Sequence, residues 1–143
     1  GEGMLSPADG KVVLATPERV AVFMSPSNVH VNRAPLDGLV QDIVRQKGTH
    51  LPAFMNRAAS NQQTRMHLET DDGEMELRQI TGTLVRKIVC YVEPGDRVAR
   101  GERIGMIRFG SRVEVSIPEG YYLRVDKGDK GRAGETVIAV RSS

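Results

Sequence analysis

One stretch of this chain occurs twice. Val92-Glu93-Pro94-Gly95-Asp96-Arg97-Val98-Ala99-Arg100-Gly101-Glu102 returns 33 positions later as Val125-Asp126-Lys127-Gly128-Asp129-Lys130-Gly131-Arg132-Ala133-Gly134-Glu135. Val, Gly, Asp, Gly and Glu recur in register, and each copy runs into an apolar strand, at 103–107 and 136–140. Two copies are too few for a solenoid, whose repeats bury their core only by stacking on several neighbours. They predict a closed β structure whose halves are related.

The rest of the chain agrees. Residues 64–70 and 74–80 alternate apolar with polar, the period of a half-buried strand. Asp71-Asp72-Gly73 between them is a hairpin turn. Met66, Leu68, Met75 and Leu77 are expected on the buried face, and Arg65, His67, Glu69, Glu74, Glu76 and Arg78 on the wet one. Further strands are predicted at 11–15, 18–24, 39–47 and, after Gly82, 83–92, with the short alternating piece Val29-His30-Val31-Asn32 between the second and third. Pro7-Ala8-Asp9-Gly10 and Pro35–Gly38 read as turns. Residues 53–59 are a short helix or a loop. No long segment has a helical period. The expectation is a single domain over 1–143, mainly β, a compact β-barrel or sandwich with little helix. Its repeated hairpins resemble those of barrel-sandwich hybrids such as biotinyl and lipoyl domains. A carrier of that kind needs a lysine at a hairpin tip. The tips here are Ala99-Arg100 and Arg132-Ala133, so the hairpins read as scaffold.

Composition narrows the function classes. A net charge of +2, no tryptophan and three each of Tyr and Phe leave no basic stripe or stacking platform for nucleic acid. Cys90 is the only cysteine, so no internal disulfide forms. No apolar run is long enough to cross a bilayer. The chain opens Gly1-Glu2-Gly3 without an initiator methionine, which is expected of a fragment whose upstream membrane-anchoring segment is absent.

Arg108-Phe109-Gly110-Ser111-Arg112 lies between the two repeats. Gly110 exposes its carbonyl on both faces, and Ser111 carries a hydroxyl able to attack it if the backbone is held under strain. A serine needs a base for that work. A plain glycine-serine turn or bulge is the other reading. Of the three histidines, His67 falls on a wet face and His50 in an irregular segment. His30 points away from Val29 and Val31 in a donor-rich stretch, as a structural histidine or a base. Asp9 is a turn-former or the carboxylate that orients that imidazole. A zinc site from His30, His50 and His67 lacks the usual short ligand spacing, so no metal is expected.

Ser6-Pro7-Ala8-Asp9-Gly10-Lys11, then Asn28-Val29-His30-Val31-Asn32-Arg33-Ala34-Pro35, then Phe109-Gly110-Ser111, in this order, resemble phosphatidylserine decarboxylase, in the short form that includes archaetidylserine decarboxylases. The likeness runs over essentially the whole chain. It implies a self-processing enzyme that converts phosphatidylserine to phosphatidylethanolamine and CO2 through a Schiff base. Ser111 would attack the Gly110 carbonyl and cut the chain into a β chain, 1–110, and an α chain, 111–143, capped by a pyruvoyl group made from Ser111. It further implies His30 as the base, Asp9 as its partner, a homodimer, and peripheral attachment to the cytoplasmic face of the cell membrane. Some relatives carry a second histidine where this chain has Ser27. Ser27, Asn28 and Arg33 are therefore the candidates for substrate binding, with Arg57 and Arg112 as further candidates for the phosphate by charge alone. The rival expectation is a non-enzymatic barrel-sandwich binding module.

Overall fold

The computed structural model describes residues 3–25, 31–83, 88–108 and 110–142. In chain order the described strands are β1 (Met4–Leu5), β2 (Gly10–Ala15), β3 (Arg19–Phe23), β4 (Val31–Arg33), β5 (Gly38–Gln46), β6 (Gln63–Thr70) and β7 (Gly73–Ile80). They continue as β8 (Ile88–Cys90), β9 (Arg97–Val98), β10 (Arg103–Ile107), β11 (Arg112–Ser116), β12 (Tyr121–Leu123), β13 (Lys130–Gly131) and β14 (Val137–Arg141). One eight-stranded sheet runs β13-β2-β3-β11-β7-β6-β5-β9, and two three-stranded sheets run β1-β14-β12 and β4-β10-β8. The expectation of a mainly β chain holds. The only helical element described is a 3-10 turn at Asn56–Ser60, inside the segment that the sequence leaves open between helix and loop.

The repeat is visible atom for atom. Gly95 N donates to Val40 O and Gly128 N to Val12 O, both at 2.8 Å. Asp96 Oδ2 accepts from the Glu93 amide at 2.9 Å, and Asp129 Oδ2 from the Asp126 amide at 2.8 Å. The two copies therefore dock on β5 and β2, at opposite edges of the large sheet. The duplication also reaches further than 92–102 and 125–135. Pro7-Ala8-Asp9-Gly10 has a counterpart in Pro35-Leu36-Asp37-Gly38. Asp9 Oδ1 accepts from the Ala133 amide at 2.7 Å, and Asp37 Oδ1 from the Arg100 amide at 2.6 Å. Each arm needs a turn residue followed by a glycine at the strand start. Gly10 shows why: a Cβ there would lie 2.0 Å from Phe23 O.

The β6–β7 hairpin pairs Met66 with Leu77 and Leu68 with Met75. All four are essentially buried, with Val20, Val22, Val113 and Val115 beside them. Burying side chains of this size is worth about 1.5–3 kcal/mol each before the entropy of ordering them. The opposite face is polar, as the alternation predicts, but its centre is not bare to water. Glu76 takes contacts from Arg19, Arg78 and His67 Nε2, the last at 2.9 Å, and His67 Nδ1 pairs with Asp42.

That cluster is expected to make the fold pH-sensitive. The hydrogen bond to Asp42 raises the His67 pKa above its ordinary 6.5, against the opposing effect of burial. A histidine raised in this way stabilises the fold below its unfolded pKa and loses that contribution as pH rises through the folded value. The urea midpoint is expected to fall as pH climbs above 6.5, and His67→Gln is expected to flatten that decline. An undiminished slope in the variant would move the effect to another group.

Candidate active site

β3 and β11 are antiparallel neighbours, with Phe23 opposite Arg112. Just beyond this pair the ladder changes character. Gly110 N donates to Met24 O at 2.7 Å, while Met24 N donates to Ser111 O at 2.9 Å. Two residues on one strand thus oppose one on the other, and Gly110 has φ +80. This is a glycine-led β-bulge, in which the first residue sits in the left-handed region. The peptide bond between Gly110 and Ser111 is held at both ends by hydrogen bonds to a single residue. Of the two readings of the Gly-Ser step, the bulge is what the backbone adopts.

Two further contacts define the surroundings of that bond. The Gly110 carbonyl oxygen rests against Gly82, where a Cβ would be only 1.9 Å away. Gly82 cannot easily retreat. Its neighbour Thr81 donates to Gln62 O at 3.0 Å through its amide, and accepts at its own carbonyl from the buried Asn61 Nδ2 at 2.7 Å. Asn61 also bonds both the amide and the carbonyl of Leu51. These bonds order the irregular 48–61 segment in place of regular secondary structure. Ser111 is fully buried, and among the described residues its Oγ has no hydrogen-bond partner. A buried hydroxyl left unpaired costs about 1–3 kcal/mol, a cost that calls for an explanation in terms of work the group performs.

Arg112 follows at once and is also buried, 1% exposed. Its guanidinium meets Glu114 Oε2 at 2.7 Å and donates to the Met55 and Ala53 carbonyls at 3.0 and 3.3 Å. Burial pushes its pKa down, with Glu114 opposing the shift. The residue straps the start of β11 to the segment above it, where Phe54 meets Phe23 edge-on at 5.8 Å. The expectation of Arg112 as a headgroup contact is therefore corrected: its charge is spent inside the protein. Arg33 is half-buried and donates to Gly101 O at 2.7 Å, which ties β4 to a repeat turn. Arg57 is exposed on the 3-10 turn. Within the Asn28–Pro35 motif, Asn32 is fully buried, reaching Met24 Sδ at 3.9 Å and accepting from Gln79 Nε2 at 3.0 Å. It steadies the same Met24 that carries the bulge.

Asp9 lines a cleft of about 960 Å³ with Lys11, Phe23 and Ser25. Its Oδ1 is occupied by the Ala133 amide, the role that Asp37 plays in the other arm. His30, Ser27 and Asn28 lie outside the described residues. Sequence reasoning missed Gly82 and Met24. Met24 carries no signal of its own, and Gly82 reads only as an interruption in a strand.

The comparisons with known proteins point one way. A family model described as phosphatidylserine decarboxylase matches residues 14–139. A putative archaetidylserine decarboxylase proenzyme of Methanococcoides burtonii is 47% identical over 140 residues, 98% of this chain and 67% of that protein. Another from Methanosarcina acetivorans is 46% identical over 136 residues, 95% of this chain and 65% of that one. A phosphatidylserine decarboxylase proenzyme of Streptomyces avermitilis is 46% identical over 140 residues, 94% of this chain and 65% of that protein. The chain spans about two thirds of the length of these relatives. No solved structure matches it.

Proposed function

This chain belongs to the phosphatidylserine decarboxylase family, and from that premise we propose that it cuts itself between Gly110 and Ser111 and then decarboxylates a serine phospholipid, phosphatidylserine or archaetidylserine. The observation that carries the proposal is the buried Ser111 Oγ, without a partner among the described residues, beside a glycine bulge. Ser111 Oγ attacks the Gly110 carbonyl carbon, the amide nitrogen leaves, and an ester replaces the peptide. Loss of the Ser111 α-proton then expels Gly110 as a carboxylate. The dehydroalanine left behind adds water and releases ammonia, giving the pyruvoyl terminus. In this reading His30 takes the Oγ proton, and Asp9 orients the imidazole.

The pyruvoyl ketone supplies a sink for the electron pair left on the substrate carbon when CO2 departs. The residues around the bulge suit such a group. Met24 and Arg112 fix the backbone on either side, and Ser111 lies in a site closed to solvent. His30 is positioned by this reading to return a proton to the substrate carbon. The two products stay together, because β11 remains bonded to β3 on one side and β7 on the other. Assembly as a homodimer, attached peripherally to the cytoplasmic face of a membrane, belongs to the same proposal. No helix among the described residues is long and apolar enough to cross a bilayer.

Denaturing mass spectrometry tests the reading. Two fragments divided at Gly110/Ser111, the smaller blocked at its N-terminus and reactive toward hydroxylamine, are expected. A chain that remains intact and carries no ketone refutes it. The duplicated turn provides a control for Asp9. Asp9→Asn is expected to slow cleavage about tenfold or more through a misoriented base, while Asp37→Asn, the same exchange at the matching turn of the other arm, leaves cleavage unchanged. Equal behaviour of the two variants would reduce Asp9 to a turn residue. His30→Ala is expected to abolish cleavage.

A further inference from the structure

The two arms share a backbone but not a charge pattern. In one, Lys130 on β13 stands directly opposite Lys11 on β2. In the other, the same positions hold Arg97 and Leu39. Arg132, at the first hairpin tip, corresponds to Ala99 at the second. The acids are matched, Asp9 with Asp37 and Glu135 with Glu102. The second arm does carry Arg100 where the first has Ala133, but Arg100 Nε donates to Gly3 O at 2.7 Å. The scaffold therefore does not require the lysine pair, since its duplicate forms without one.

Like charges directly opposite across strands are destabilising. Lys11, Lys130 and Arg132 are all exposed, and among the described residues none of them forms an ion pair. All three line the 960 Å³ cleft that also holds Asp9, Phe23 and Ser25. The cleft adjoins the bulge. Lys130, Lys11, Phe23 and Arg112 form one transverse row across four adjacent strands. Lys11 is two strands from Arg112, about 10 Å between backbones, and Ser111 precedes Arg112.

Resting on the proposed decarboxylase, we infer that this cleft binds the phosphodiester of the substrate headgroup. Lys11 and Lys130 hold its charged oxygens from adjacent strands, and Arg132 closes on it from the hairpin tip. The anion relieves the repulsion between the two lysines and places the serine amine toward position 111.

The test compares the wild-type chain with the double variant Lys11→Gln/Lys130→Gln. The substrates are water-soluble glycerophosphoserine and O-methylserine, which has no phosphate. The variant is expected to raise KM for glycerophosphoserine at least tenfold with little change in kcat, and to handle O-methylserine like the wild type. An unchanged KM, or equal losses on both substrates, overturns the inference. A second measurement needs no cleavage. Phosphorus NMR titration of the Ser111→Ala chain with glycerophosphoserine is expected to show binding that disappears when the lysine pair is replaced. Binding that survives the replacement, or inorganic phosphate bound more tightly than the diester, also overturns it. Failure of the wild type to cleave or gain a ketone refutes the decarboxylase instead, and the titration still reports on the cleft.

Discussion

Ser111→Ala is expected to remain one chain of 143 residues, to react with no hydroxylamine, and to be at least as stable as an uncleaved His30→Ala chain that keeps the serine. The first two outcomes follow from removing the nucleophile. The third follows from packing. Ser111 is fully buried and its Oγ has no partner among the described residues, so on those contacts the folded state carries an unpaired hydroxyl that alanine lacks. Removing such a group while leaving the shape nearly unchanged is neutral or stabilising, here by about 1 kcal/mol. Intact-mass measurement and urea titration read both effects. A cleaved alanine variant would end the proposal that Ser111 is the nucleophile. A strongly destabilised one would show that Oγ has structural work, and the picture of a hydroxyl poised without a partner would be lost.

Gly82→Ala is the more demanding case, because the residue takes no part in the chemistry. Its new methyl group would fall 1.9 Å from the Gly110 carbonyl oxygen, so the carbonyl has to turn or shift by an ångström or more. Displacement on that scale from the attack geometry costs about a hundredfold in rate. Cleavage is therefore expected to slow by about two orders of magnitude, while overpacking costs the fold about 1–3 kcal/mol. Stability is measured in the Ser111→Ala background, which separates folding from cleavage. Hydroxylamine added during slow processing of Gly82→Ala distinguishes the steps. If the shifted carbonyl blocks the acyl shift, no ester accumulates for it to trap. Normal processing would show that the Gly110–Gly82 contact does not govern the bond. Accumulated ester would place the defect at the later elimination.

The legible parts of the chain were those with a short-range physical signature. The β6–β7 hairpin declared itself through period-two alternation and a turn of Asp71-Asp72-Gly73, and its buried face came out as Met66, Leu68, Met75 and Leu77. The duplicated hairpins declared themselves because the same turn requires the same glycines, Gly95 and Gly128, both at positive φ. The companion duplication of Asp9 in Asp37 was present in the sequence but is carried by so few residues that it looked like an ordinary turn. Arg112 read as a phosphate candidate by charge alone, because charged side chains normally stay at the surface. It lies inside because Glu114 and two carbonyls from 53–55 meet it there.

What the residues alone determined, then, was a β chain with related halves, and an adjacent glycine and serine suited to unusual backbone chemistry. Both are consequences of neighbours a few positions apart, through turn dihedrals and strand alternation. What the tertiary structure decided was which glycine faces the Gly110 carbonyl, that Met24 brackets the Gly110–Ser111 step, and that Lys11 meets Lys130. Those contacts join positions 28, 86, 87 and 119 residues apart. No periodicity reaches so far. Such pairs come into being only when strand order and register across the whole sheet are set by burial of its apolar face.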